Sequence, residues 1–282
     1  METIKLVAGA RTVSYESNSG ETATIKVTHA GEMATFVFPQ LGDDYQYVAE
    51  SCSACIKPDF QIAKLGTVML PGTILARFTN CRDIGKETVE SLPDGLKELG
   101  IVGCPNIAKE TIADMLGSGR IRCLTLTNGT RQIVCSLKHS REIQVVTRFY
   151  EERFTFVCPR PDNLLDVAEV LTMCIEEGRT IASLGTLVLP RACLIEYSDC
   201  HSIDDSVVEF LPRDVNTVRF SKCLNITDAI MVNMYVPRVE FKHCNGLTDG
   251  VAKLCKAPVK YVSIDQCGTV TQAIAHAAKQ PA

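Results

Sequence analysis

The sequence has no basic run, no low-complexity tail and no apolar stretch approaching the roughly 20 residues that a bilayer span requires. Its 29 Lys and Arg against 33 Asp and Glu leave a formal net charge of −4. So mild a balance gives no electrostatic basis for binding nucleic acid or an anionic membrane. Met1 to Arg11 carries Glu2, Lys5 and Arg11 around a brief apolar run, too short for a signal-peptide core. A soluble, cytoplasmic protein is the expectation, with cytoskeletal or complex association as the finer form of it. No Gly-rich phosphate loop, Gly-x-Ser-x-Gly elbow or His-Glu-x-x-His is present. Gly117-Ser118-Gly119 comes nearest to an elbow, but it lacks the spacing residues and runs from helix to strand, the reverse of an elbow. Neither an enzyme nor a cofactor is expected.

What the chain does have is a recurring phrase: apolar, two residues, apolar, one residue, apolar, two residues, cysteine. It reads Leu96, Leu99, Ile101, Cys104; then Val215, Val218, Phe220, Cys223; Val236, Val239, Phe241, Cys244; and Val259, Val262, Ile264, Cys267. Weaker copies lie at Thr73, Ala76, Phe78, Cys81 and at Ala192, Ile195, Tyr197, Cys200, and one copy ends in Gly129 in place of cysteine. Apolar residues two apart share one face of a short strand. The cysteine is a compact apolar residue where the chain turns. Helical runs follow at Ile84–Leu92, Ile107–Leu116, Ile203–Leu211 and Ile226–Met234, two of them closed by Leu-Pro.

The segments LKELGIVGCPNI, VNTVRFSKCLNIT, VPRVEFKHCNGLT and VKYVSIDQCGTVT resemble the leucine-rich repeat family, in its cysteine-containing subclass. The resemblance covers roughly residues 70–140 and 190–270 and implies an α/β solenoid with a parallel strand face and short helices on the other side. Strands at Ile4–Val7, Thr12–Tyr15, Thr24–Val27 and Thr35–Phe38, with turns at Asn18-Ser19-Gly20 and Ala30-Gly31, predict an N-terminal β-hairpin cap.

A larger correspondence encloses the small one. Tyr45–Ile107 aligns without gaps on Leu164–Ile226, each residue matching the one 119 later, with about a third of positions identical. Phe36–Pro39 answers Phe156–Pro159, and Ile25-Lys26-Val27 answers Ile143-Gln144-Val145. A tandem internal duplication follows: 1–40 as β cap, 41–137 as the first half and 138–282 as the second. With no Pro/Gly/Ser linker between the halves, one continuous body is expected. Tyr45–Ile56 and Asn163–Glu177 read as amphipathic helices, and the Ala-rich Gln272–Lys279 as a closing helix.

The 14 cysteines resemble a disulfide framework until they are placed. Six close the repeat phrase, and Cys55, Cys123, Cys158, Cys174, Cys193 and Cys255 fall within predicted helices or strands, so reduced, buried thiols are the reading. Cys52-Ser53-Ala54-Cys55 fits a redox pair or half a zinc site, yet Cys52 answers the apolar Leu171, which makes it a core position. Cys200-His201 and His243-Cys244 place each cysteine inward and each histidine at the turn, so no metal site is expected. Asp43-Asp44 and Asp204-Asp205 sit at turns or helix starts, where capping accounts for them.

The strand positions between the buried ones remain. Arg77, Glu196, Arg219, Glu240, Lys242 and Asp265 define an outward, charged face, read either as a partner-binding surface or as a solvated sheet with internal charge pairs. The favoured function is a non-catalytic protein–protein interaction scaffold or adaptor. The resemblance implies as alternatives a substrate-recognition subunit of a ubiquitin ligase lacking an evident F-box, and the cysteines a metal or redox sensor.

Overall fold

The computed structural model describes residues 3–18, 21–39, 45–57, 59–69, 72–105, 107–138, 141–176, 178–248, 250–254, 258–268 and 270–276. The chain divides into two units, Met1–Gly129 with Asn163–Glu169, and Thr130–Asp162 with Val170–Ala282. The division falls at Gly129, ahead of the 137/138 junction expected from the sequence.

The first unit opens with β1 (Thr3–Ala8), β2 (Arg11–Asn18), β3 (Thr22–His29) and β4 (Glu32–Pro39), an antiparallel meander. Alternation decides its faces: Ala23, Ile25 and Val27 on β3 and Ala34, Phe36 and Phe38 on β4 are buried. Helix α1 (Tyr45–Cys55) and a 3-10 turn (Ile62–Val68) follow. β5 (Leu75–Thr79) then pairs antiparallel with β4, and β6 (Glu98–Val102) and β7 (Cys123–Asn128) add on in parallel. The parallel crossovers carry α2 (Lys86–Ser91) and α3 (Lys109–Gly117). In-register rows Ala76, Leu99, Leu124 and Phe78, Ile101, Leu126 are buried, each large side chain contributing about 1.5–3 kcal/mol.

The chain from Thr130 onward follows the same order: β8 (Arg131–Lys138), β9 (Glu142–Phe149), β10 (Glu152–Pro159), α4 (Leu164–Ile175), a 3-10 turn (Ala182–Leu187) and β11 (Leu194–Ser198). Three parallel additions follow, β12 (Thr217–Ser221), β13 (Arg238–Lys242) and β14 (Tyr261–Cys267), and β15 (Val270–His276) returns antiparallel. Gly66 and Gly185 hold equivalent 3-10 turns against the next segment. A Cβ on Gly185 would stand 2.6 Å from the Phe210 carbonyl oxygen, and one on Gly66 would strike the Ser91 carbonyl, so no side chain fits at either.

The α/β leucine-rich-repeat-like solenoid with a parallel strand face is overturned. The sheet is mixed and mostly antiparallel, with parallel pairing confined to β5–β7 and β11–β14. The N-terminal strands are no hairpin cap either, since β4 pairs directly with β5 and makes the meander part of the same sheet. Nor do short helices cover the second unit's crossovers. Ile203–Leu211 and Ile226–Met234 contain 3-10 turns, Asp205–Phe210 and Asp228–Val232, in place of α-helices. The Ala-rich Gln272–Lys279 is not a closing helix. Pairing with β14 overrides helix propensity and makes Val270–His276 a strand, after a turn at Gly268 with φ +53. Residues 277–279, the turn residues Ser19 and Gly20, the pair Asp43-Asp44 and Cys255 lie outside the described residues.

The cysteines follow a local rule. The residue before each turn cysteine adopts positive φ: Asn80 (55°), Gly103 (58°), Asp199 (55°), Lys222 (53°), His243 (54°) and Gln266 (52°). This kink turns the following Sγ under the sheet. Cys223 Sγ donates to the carbonyls of Tyr197 (3.4 Å) and Ser221 (3.5 Å), and Cys244 Sγ to those of Phe220 and Lys242 (both 3.5 Å). The Cys81 and Cys244 amides donate in turn to Cys104 and Cys267 Sγ at 3.2 Å. A thiol thus satisfies strand-end carbonyls that a purely apolar residue would leave bare. Cysteines among the described residues are free thiols. Cys193 departs from the buried expectation, lying exposed just before β11.

Candidate partner-binding face

Outward positions on β11–β14 alternate with the buried apolar rows and carry a graded charge ladder. Glu196 on β11, Arg219 on β12 and Glu240 on β13 are direct neighbours in register. Arg219 reaches Glu240 at 2.8 Å through both Nε and Nη2, and Glu196 at 3.5 Å through Nη1. Ser198, itself buried, donates to Glu196 at 2.9 Å. Arg238 Nε donates to the second Glu240 oxygen at 2.7 Å, and its guanidinium lies 4.4 Å from the Tyr261 ring centroid. Lys242 pairs with Asp265 at 3.8 Å and Lys222 with Asp199 at 3.2 Å. An open groove of about 580 Å³ runs along this face, lined among others by Glu196, Arg219, Glu240, Lys242 and Asp265.

Each central charge is tuned by its neighbours. Burial alone would raise the Glu240 carboxyl, but hydrogen bonds and charge from Arg219 and Arg238 outweigh it and hold the pKa below the ordinary value. Burial opposes the charge on Arg219, and Glu240 and Glu196 reverse that effect and raise its pKa. Glu240 and Arg219 therefore stay ionised and paired with each other at neutral pH.

Of the six residues singled out from sequence, the structure brings five together in the second unit. Arg77 belongs to the first, exposed on β5 opposite Thr35 and lying over Gly100. Sequence reasoning missed Arg238, although it stands two residues before Glu240 and must share its face. It also missed Arg11 and Arg131, which are 2% and 7% exposed. Arg11 donates to the carbonyls of Cys55 (3.0 Å), Lys57 (2.7 Å) and Phe60. Arg131 donates to those of Cys174 (3.0 Å), Glu176 (3.0 Å) and Arg179 (2.6 Å). Each caps the carbonyl end of a helix, where a cation is favoured. The legible signal was their spacing: 120 residues apart, each two residues after a strand-turn glycine.

The other sequence candidates separate into core and turn. Burial pushes the Cys52 thiol up to about 11, and burial with the neighbouring Cys52 pushes Cys55 up to about 12. Thiols so raised are poor thiolate donors. His201 is exposed and its amide donates to Glu152 at 2.8 Å, while the Cys200 side chain is buried under the sheet. Among the described residues no group of three or more His, Cys, Asp or Glu is placed to hold a metal ion. Asp204 caps the Ser206 amide at 2.9 Å, and Asp205 accepts from the Thr227 amide at 2.8 Å, tying one crossover to the next. No described helix is long and apolar enough to cross a membrane.

The chain matches no family model, no curated protein and no solved structure.

Proposed function

We propose that the protein is a non-catalytic interaction scaffold that docks a partner protein on the outward face of β11–β14. The observation carrying this reading is the Glu196–Arg219–Glu240 chain, joined at Glu240 by the exposed Arg238 and bordering an open groove on adjacent strands. Alternating signs at fixed spacing select a partner by electrostatic complementarity more than by raw affinity. A segment carrying alternating charges at strand spacing fits such a face. The free thiols accord with a reducing, cytoplasmic compartment. The raised Cys52 and Cys55 pKa values weigh against a sensor at that pair. The strand meander over Thr3–Pro39 gives no support to a helical F-box there.

Proximity cross-linking from native cells, wild type beside the Glu196→Lys, Arg219→Glu, Glu240→Lys variant, tests the reading. Specific partners should disappear while the melting transition stays cooperative. Partners retained in full by the charge-reversed protein would refute it.

A further inference from the structure

We propose that copies of this chain join head to tail, the free edge of β15 in one copy pairing antiparallel with the free edge of β1 in the next. This goes beyond the partner-binding face and does not depend on it.

β1 is an edge strand. Among the described residues it pairs only with β2, and Ile4 and Val7 stand 46% and 64% exposed. Two other strands show what its bare side is shaped for. Residue for residue at an offset of 120, β1 corresponds to β7: Ile4 to Leu124, Leu6 to Leu126, Gly9 to Gly129 and Arg11 to Arg131. In β7, whose far edge pairs with β6, the apolar pair is 0% and 4% exposed, whereas Ile4 is exposed and Leu6 half-buried. β14 repeats the arrangement. It starts a hairpin with a two-residue turn opened by Gly268, as Gly9 opens the turn after β1, and its other edge lies on β13. β1 has the sequence of a covered strand and, among the described residues, lacks the cover.

The chain itself supplies a second unpaired edge of the same kind. β15 pairs with β14, and among the described residues no strand lies on its far side. Its sequence, VTQAIAH, contains no glycine, proline or lysine to blunt the edge. β1 and β15 are similar in length, 6 and 7 residues. Only a head-to-tail arrangement satisfies both edges with one contact. A two-fold β1–β1 pair leaves β15 bare, and in the register that sets Ile4 beside Leu6 it places Lys5 opposite Lys5, a like-charge pair.

Hairpin alternation identifies the backbone groups involved. The pairs closing the two turns, Ala8 with Arg11 and Cys267 with Val270, direct Thr3, Lys5 and Val7 on β1 outward, and Thr271, Ala273 and Ala275 on β15. Proline at Val7 or Ala275 therefore removes an outward N–H and leaves the hairpin bonds intact.

The test is analytical ultracentrifugation of the full chain across a concentration series, with circular dichroism and melting as folding controls. The wild type should grow with concentration past the mass of two chains. Val7→Pro and Ala275→Pro should each remain at one chain, and their equimolar mixture should reach two chains and stop. Lys5→Pro and Thr271→Pro replace either variant that melts early. A wild type of one chain at every concentration would overturn the proposal. So would an Ala275→Pro protein that still dimerises alone, since that result assigns the contact to β1–β1.

Discussion

The first unit's outward row reads Arg77, Gly100, Thr125; the second's reads Glu196, Arg219, Glu240, Ser263. Beneath them, the inward rows exchange Ala76 for Ile195, Phe78 for Tyr197, Leu99 for Val218 and Ile101 for Phe220, all buried. Size varies inside while each position keeps an apolar body, Tyr197 alone adding a hydroxyl, because a sheet with one face buried tolerates repacking more readily than polarity. Outside, the side chains meet solvent and one another, with Gly100 lying under Arg77. There the units diverge from an uncharged glycine to a three-residue ion chain. The two buried arginines stand between these extremes. Their carbonyl partners match position for position at an offset of 119, but Arg131 also has the Phe149 ring 5.0 Å away, where the first unit has His29.

The largest expected effect breaks the cysteine turns unequally. Cys223→Asp buries an unpaired charge and should cost about 4 kcal/mol, abolishing the cooperative unfolding of the second unit. Cys104 is half-buried, so Cys104→Asp should cost visibly less in the same denaturant titration. Equal losses would mean that the two turns are not differently packed.

Next come the buried arginines. Arg11→Met and Arg131→Met each strip carbonyls of charged hydrogen bonds, and chemical denaturation should show a loss of about 3 kcal/mol for each. The Arg131 loss should be the larger, by about 0.5–1 kcal/mol, for the aromatic contact. Replacing His29 by Phe should narrow that difference.

A gain follows at Tyr197. Its hydroxyl is fully buried with no hydrogen-bond partner among the described residues, and burial raises its pKa. Tyr197→Phe installs the first unit's residue, Phe78, and should stabilise by about 1 kcal/mol.

The smallest effect is titrational. Glu240 has a folded pKa below its unfolded one, so its contribution is present above the ordinary carboxylate range and is lost as pH falls through the folded value. Glu240→Gln should lower stability slightly at pH 7, by an amount within the about 0–1 kcal/mol of exposed pairs, and should flatten the acid-side decline. A decline unchanged by the substitution would place the titration elsewhere.

How much of this could be read beforehand depends on what a residue pattern encodes. Period-two alternation with a terminal cysteine located β5, β6 and β11–β14 and the inward direction of their cysteines, since side-chain direction along a strand is local. It does not encode how strands pair onward, so the first meander reads as a separate hairpin cap and the second falls inside the repeat half 138–282. The shift of one residue between meander and crossover was also hidden. Ile25 faces the position of Val145, not of Ile143, as the pairing Ala23↔Ser17 beside Ile143↔Leu137 shows. Arg11 and Arg131 escaped because a lone arginine in a strand reads as surface. Only tertiary placement reveals a helix end beneath it. Of the outward face, five of the six residues proved to be neighbours because their strands are in register. Arg77 could not be separated from them without the division into units.

The central claim is that the second unit's outward face, and not its counterpart in the first, is where a partner docks. The most direct measurement is an equilibrium titration of one cross-linked partner against wild type, Arg219→Glu and Arg77→Glu. The account expects affinity to fall at least tenfold for Arg219→Glu, the equivalent of about 1.4 kcal/mol, and to stay unchanged for Arg77→Glu. A loss at Arg77 with none at Arg219 would contradict it.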